Sequence, residues 1–175
     1  MDTKVSSKQD AFMRLYNESH VRLTRYVQSV VYNRSDVKDI ISETVLKVYE
    51  RFENIEKKES FIYYLFRTAS RLITELHKKQ NRYTQIDEDI ILQLPASNIE
   101  TAQSLEVKDL YQALSRLPLA VREAIVLYEI EGFSQEEICN IQGGTLSGVK
   151  SRINRGRESL KKIIAAAETV KISNS

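Results

Sequence analysis

The chain has a single cysteine, Cys139, in 175 residues, so no internal disulfide can form. His20 and His77 are its only histidines, too few for a Cys/His zinc site. Carboxylate-rich metal sites are not excluded by this count, but no EF-hand loop pattern is present. Glycine and proline are scarce, at five and two. All five glycines (Gly132, Gly143, Gly144, Gly148 and Gly156) lie in one short stretch, and residues 1–131 contain none. A Rossmann fingerprint or a P-loop needs glycine-rich turns after strands, so the composition argues against a nucleotide-binding α/β enzyme. No apolar run approaches the roughly 18 residues of a membrane helix. The polar start, 1–10, lacks the apolar core of a signal peptide, which predicts a cytoplasmic protein. No Ser/His/Asp set and no paired carboxylates at a glycine-rich cleft can be assembled. The chain is therefore read as a non-enzyme with no catalytic residue, no cofactor and no metal.

Hydrophobic residues make up 42% and charged residues 29%, the balance of a folded globular chain. The length suits one ordinary domain or two small ones. Net charge is only +2, but its distribution is uneven. Segment 60–82 sets Arg67, Arg71, Lys78, Lys79 and Arg82 against Glu75. Segment 145–162 sets Lys150, Arg152, Arg155, Arg157, Lys161 and Lys162 against Glu158. Between them, 83–111 carries Asp87, Glu88, Asp89, Glu100, Glu106 and Asp109 against Lys108. Two basic stretches flanking an acidic one suggest two contacts on one polyanion, with the middle held off it.

The absence of glycine and the 3.6-residue periodicity predict helices throughout, with no strand alternation. A first helix runs from about residue 8 to 32, with Phe12, Leu15, Tyr16, Ser19, Leu23, Tyr26, Val27 and Val30 on one stripe. A second begins at Ser35 or Asp36, either of which can cap it. It turns Val37, Ile40, Ile41, Val45, Val48 and Phe52 inward. Residues 54–60 form a polar loop, and a third helix follows to about 80. Residues 83–105 read as a linker. A helix over 106–117 ends before Pro118, which suits the first turn of the next, and that helix runs to Glu131, where Gly132 stops it. Ser134 and Glu137 form a capping box for a short helix to about Ile141. Gln142-Gly143-Gly144 is a turn, Thr145 caps a last helix to about 167, and 168–175 is expected to fray. The fold class is thus all-α, two small helical domains over 8–82 and 106–167 joined by a flexible linker.

Two helix faces carry the chemistry. At about 100° per residue, Val149, Ile153, Gly156 and Leu160 of the last helix share one side. Ser147, Gly148, Ser151, Asn154 and Arg155 point away, with Lys150, Arg152 and Arg157 on the flanks. A capped helix, a turn and a second helix form a helix-turn-helix, which lays its second helix in the major groove of DNA. Small residues at Ser147 and Gly148 permit close approach. Arg155 can reach guanine O6/N7, and Ser151 can donate or accept. Lys150, Arg152 and Arg157 suit phosphates. The third helix sets Phe61, Leu65, Ala69, Leu72 and Leu76 inward. Tyr63, Tyr64, Arg67, Arg71, Thr74 and Lys78 face the other way. Aromatics interleaved with arginines fit single-stranded nucleic acid, bases stacking on rings and cations following phosphates. The same tyrosines could instead pack against a neighbouring helix. Cys139 reads as a small core residue, and the run Asp87-Glu88-Asp89 as a solvated charge cluster.

In this order and spacing the motifs resemble the extracytoplasmic-function (ECF) group of bacterial sigma factors. The run 36–47, with Asp36, Asp39, Glu43 and Lys47, resembles the region 2.2 helix. The run 60–69 resembles the start of the region 2.3–2.4 helix. The runs 114–118, 122–123, 131–138 and 148–157 resemble region 4. The resemblance implies an initiation factor that binds core RNA polymerase and promoter DNA as a monomer. Asp36, Asp39, Glu43 and Lys47 would dock on the polymerase clamp. Asn54, Ser60 and the third-helix residues would capture the minus-ten element. Thr145, Ser147, Gly148, Lys150, Ser151, Arg152, Asn154, Arg155 and Arg157 would engage the minus-thirty-five element, with the apolar side of region 4 on the flap. The acidic linker would run toward the active-site channel, and an anti-sigma factor is a further expected partner. Three positions depart from the family: Ser42 stands for a glutamine, Gly144 for an apolar turn residue and Gly148 for a threonine. The two glycines imply a softer turn. Two other readings remain open on the residues alone: a stand-alone helix-turn-helix regulator binding an operator as a dimer, and an all-helical adaptor with no DNA role.

Overall fold

The structure, a computed structural model, describes residues 2–55, 58–84 and 105–173. The chain divides into two units, Met1–Leu94 and Pro95–Ser175. Among the described residues every element is helical and none is a strand, as expected for two helical domains. Residues 85–104, most of the expected linker including Asp87-Glu88-Asp89, lie outside the described residues.

The first unit contains α1 (Asp2–Val30), α2 (Arg34–Glu50), a 3₁₀ turn (Phe52–Asn54) and α3 (Lys58–Thr84). Helix α1 starts earlier and α3 ends later than their apolar stripes suggest. Helix α2 is capped by Asn33, not by Ser35 or Asp36. The Asn33 Oδ1 accepts from the Ser35 N–H at 2.8 Å and the Asp36 N–H at 3.5 Å. Asn33 is the last extended residue (φ −77°, ψ 124°), whereas Ser35 and Asp36 are already helical. Asp36 thereby falls in the first turn, where a carboxylate meets the positive helix end.

Helix α2 packs on α3, and α1 on both. Leu23, Tyr26, Val27, Val37, Ile40, Val48, Phe61, Leu65, Phe66, Ala69, Leu72 and Ile73 are buried between them. Thr44 is fully buried, while Ile41 and Val45, expected inside, are half-buried. The inward line runs Ile40, Thr44, Val48 at steps of four. Phe12 meets Tyr49, Phe52 and Phe61 edge-on at 5.1, 5.4 and 5.6 Å. Each such pair adds about 0.5–1.5 kcal/mol beyond the area buried. The cluster pins the 3₁₀ turn between the end of α2 and the start of α3.

The second unit contains α4 (Leu105–Ser115), α5 (Leu119–Ile125), a π turn (Val126–Ile130), α6 (Gln135–Gln142) and α7 (Leu146–Ser173). Pro118 stands at the N-cap of α5, one place before the first helical residue. Its carbonyl accepts from the Val121 and Arg122 N–H groups, both at 3.0 Å. Arg122 is buried, and its Nη2 donates to the carbonyls of Leu117 at 2.9 Å and Ser115 at 3.2 Å. A helix leaves its last carbonyls unpaired, and here a side chain of the next helix satisfies the end of α4.

The single helix expected up to Glu131 changes pitch at Val126. The Glu131 N–H reaches back five residues to the Val126 carbonyl at 3.0 Å, the signature of a π turn. Gly132 (φ +73°) then turns the chain, as expected. The capping box of α6 is formed, with Ser134 Oγ accepting from the Glu137 N–H and Glu137 Oε2 accepting from the Ser134 N–H. Helices α5, α6 and α7 close around Ala124, Ile125, Leu127, Ile138, Ile141, Val149 and Ile153. A Cβ on Gly156 would overlap Ile125 Cγ1 and come within 3.2 Å of Val121 Cγ1. Glycine here is what lets α7 lie this close to α5. Helix α7 continues to Ser173, beyond the end expected from its stripe.

Candidate nucleic-acid interface

Helix α7 starts at a built cap. Thr145 Oγ1 accepts from the Gly148 N–H at 3.1 Å and lies 3.2 Å from Ser147 Oγ. The turn before it takes its shape from two glycines, Gly143 at φ +80° and Gly144 at φ +95°. A side chain at Gly144 would be strained in that backbone region. Glycine at 143 and 144 is what these two backbone angles call for. Cys139, expected in the core, is half-buried, and its thiol donates to the Gly144 carbonyl at 3.2 Å. Gln142, at the end of α6, donates through Nε2 to Glu123 Oε2 at 2.8 Å and to the Ala120 carbonyl at 3.1 Å. The buried Glu123 so fastens α6 to α5.

On this frame Thr145, Ser147, Lys150, Ser151, Asn154 and Arg155 are exposed, and Gly148 is half-buried. The Arg155 Nε donates to the Ser151 carbonyl at 3.4 Å, laying the side chain along its own helix. Arg152 bends back over the turn. Its Nη2 lies 3.5 Å from the Gly143 carbonyl, and its guanidinium lies 3.8 Å from a Cβ on Gly148 and 3.9 Å from one on Gly144. Those are ordinary contact distances, and the closer neighbour of a Cβ on Gly148 would be the capping Thr145 Oγ1 at 3.2 Å.

Arg157 has partners of its own. Its Nε donates to Glu129 Oε1 at 2.6 Å, and the guanidinium stands 5.3 Å from the centroid of the Tyr128 ring. The Glu129 carboxylate raises the pKa of a group that is already always charged. Glu129 and Tyr128 were not among the residues singled out by sequence. They are 28 and 29 positions away on a π turn, and no local pattern links them to α7. Beside the pair lies an open groove of about 700 Å³ with Ile125, Leu160, Ile164 and Ala165 among its walls and Glu129, Arg157 and Lys161 at its rim.

In the first unit the outer face of α2 carries Asp39, Glu43 and Lys47 exposed and Asp36 half-buried. Lys47 Nζ pairs with Glu43 Oε1 at 3.3 Å. Asp36 Oδ2 accepts from Gln80 Nε2 of α3 at 3.1 Å. On α3, Ser60, Arg67, Arg71 and Lys78 are exposed, while Tyr63, Tyr64 and Thr74 are half-buried. Asn54 is exposed at the end of the 3₁₀ turn. The Tyr64 hydroxyl accepts from Arg51 Nη1 at 3.2 Å, and Thr74 Oγ1 donates to the Ser70 carbonyl at 2.9 Å. Tyr64 and Arg71 line a cleft of about 230 Å³ between α2 and α3, together with Lys47, Glu50, Arg51, Thr68, Leu72 and Glu75. The structure thus brings Lys47 of the α2 face and Tyr64 of the α3 face to one cleft. Arg51 and the carboxylates Glu50 and Glu75 were not anticipated there.

Among the described residues no three His, Cys, Asp or Glu side chains are grouped to hold a metal. No helix among them is long and apolar enough to cross a membrane.

Two family models match in one chain: Sigma-70 region 2 over residues 15–83 and Sigma-70, region 4 over 108–160. The ECF RNA polymerase sigma factor SigE of Mycolicibacterium smegmatis is 32% identical over 150 residues, 82% of this chain and 58% of that protein. The ECF RNA polymerase sigma-E factor of Haemophilus influenzae is 28% identical over 85% of this chain and 82% of its own length. Among solved structures, the sigma factor RpoE of Bartonella quintana, crystallised with the anti-sigma factor NepR, superposes with a TM-score of 0.79. It is 25% identical, over 89% of this chain and 97% of that one. The chain belongs to the sigma-70 family, in its ECF group, the RNA polymerase sigma factors that give promoter-specific transcription initiation. A match to region 2 beside one to region 4 separates it from a stand-alone helix-turn-helix regulator.

Proposed function

We propose the following division of labour between the two units, 8–82 and 106–167. Helix α7 enters the duplex minus-thirty-five element. Ser147, Gly148, Ser151, Asn154 and Arg155 face base edges, and Thr145, Lys150 and Arg152 belong to the phosphate side, with Arg157 on the same flank but paired with Glu129. The α3 face, with Tyr63, Tyr64, Arg67, Arg71, Thr74 and Lys78, takes the opened minus-ten strand, and Asn54 and Ser60 flank it. Asp36, Asp39, Glu43 and Lys47 dock on the clamp of core RNA polymerase. The groove beside Ile125, Leu160 and Ile164 faces the flap. The acidic segment between the units mimics nucleic acid in a basic channel. The protein acts in the cytoplasm as a monomeric subunit, performs no catalysis and needs no metal or cofactor. An anti-sigma factor is a fitting partner, because the Bartonella quintana relative was solved with one.

The observation that carries this reading is the exposed Ser147–Lys150–Ser151–Asn154–Arg155 face, held by a hydroxyl cap and a two-glycine turn. A solvated basic helix face would not need so exact a start. Run-off transcription of genomic fragments with core polymerase, with and without this protein, tests it. Discrete promoter-dependent products are expected with the wild type and about five- to a hundredfold less with Arg155→Ala, from the loss of about 1–3 kcal/mol of base discrimination. Equal products from both proteins would remove Arg155 from the interface.

A further inference from the structure

The six basic residues of segment 145–162 are not equally free. Lys150 is exposed, and Arg155 lies along its own helix, its Nε donating to the Ser151 carbonyl. Arg157, by contrast, meets two side chains of the same π turn: the Glu129 carboxylate at 2.6 Å and the face of the Tyr128 ring at 5.3 Å. A charge-assisted bond of this length and a ring beneath the guanidinium fix both the position and the plane of the group. A cation already matched by a carboxylate has no unmet charge to offer a phosphate. It displaces no condensed counterion when DNA arrives, and so adds nothing to the salt-dependent part of binding.

We infer that the Glu129–Arg157 pair is an internal competitor of the DNA backbone, with Glu129 as the positioning residue that keeps Arg157 off phosphate. The inference rests on the reading of α7 as the duplex-binding helix. Its content is a consequence for affinity: the π turn sets how many positive charges region 4 presents. The pair lies at the rim of the groove lined by Ile125, Leu160 and Ile164. A cation brought to Glu129 from that side would therefore release Arg157 toward DNA, and by reciprocity DNA would favour that cation.

The test is the salt dependence of binding by the full chain to a labelled mixed-sequence duplex, followed by fluorescence anisotropy between 50 and 200 mM salt. Both pair residues are about half exposed, with side-chain exposures of 48% for Arg157 and 43% for Glu129, so the variants should fold, and helical circular dichroism checks this. Arg157→Ala alone should leave the salt slope at the wild-type value. Glu129→Gln should steepen it by about 0.9, one additional phosphate contact, and tighten binding about two- to tenfold at the lowest salt. Glu129→Gln with Arg157→Ala should return to wild type. If Arg157→Ala alone flattens the slope, Arg157 is already on phosphate and the inference is overturned. If the tightening by Glu129→Gln survives in the double variant, it reflects a general loss of negative charge, and the inference is again overturned. Arg155→Ala separates the two levels. If it fails to weaken binding, the assignment of α7 is wrong. If it weakens binding while Glu129→Gln does nothing, only the pair has been misjudged.

Discussion

At the scale of single residues, Gly156 is the position where packing and propensity make opposite demands. Alanine is the better helix former by about 1 kcal/mol. Yet a Cβ there would overlap Ile125 Cγ1 and crowd Val121 Cγ1, both on α5. Overpacking of a closed core typically costs about 1–3 kcal/mol. Gly156→Ala should therefore lower the urea midpoint, and a raised midpoint would mean that Ile125 moves aside freely. The sequence placed Gly156 on the apolar stripe of α7 correctly, because a helix wheel gives direction. It could not give the distance to α5, which depends on how two helices cross. Thr44 is a related case. Its place between Ile40 and Val48 follows from steps of four, but its hydroxyl left it off the apolar line set out from the sequence. Glu129 is the clearest omission at the candidate site, since its partner is 28 positions away and a carboxylate near a helix end is common.

At the scale of elements, most boundaries followed from turn and cap chemistry. Ser134 with Glu137, Thr145 before α7 and Gly132 at its turn are where the residue types put them. These signals are local, so they survive translation from sequence to structure. The misplaced cap of α2 shows the limit: Asn33, Ser35 and Asp36 can all cap, and only backbone geometry chooses among them. The change of pitch at Val126 had no residue signal either, because a π turn adds one residue without needing glycine or proline. The junction of α4 and α5 relies on Arg122, which the sequence marked only as part of a motif. It donates two hydrogen bonds to the final carbonyls of α4 from a buried position. Arg122→Ala should destabilise the second unit by about 2–3 kcal/mol, the cost of leaving those groups without a partner. An unchanged thermal midpoint would show that α4 does not depend on this contact.

At the scale of the whole molecule, the charge pattern was the most legible feature, and the fate of individual charges the least. Blocks of sign are a property of the chain. Whether an arginine meets a backbone carbonyl, as Arg152 does, or a carboxylate, as Arg157 does, depends on the fold. Two basic faces on separate units predict separable effects on one promoter. Footprinting of the polymerase reconstituted with this protein, combined with permanganate reactivity of unpaired thymines, reads both ends at once. Arg155→Ala should lose upstream duplex protection while retaining strand opening on a strong promoter. Arg67→Ala with Arg71→Ala should lose strand opening while upstream protection persists. If both variants lose both signals together, or neither variant loses either, the assignment of one unit to paired DNA and the other to opened DNA is contradicted.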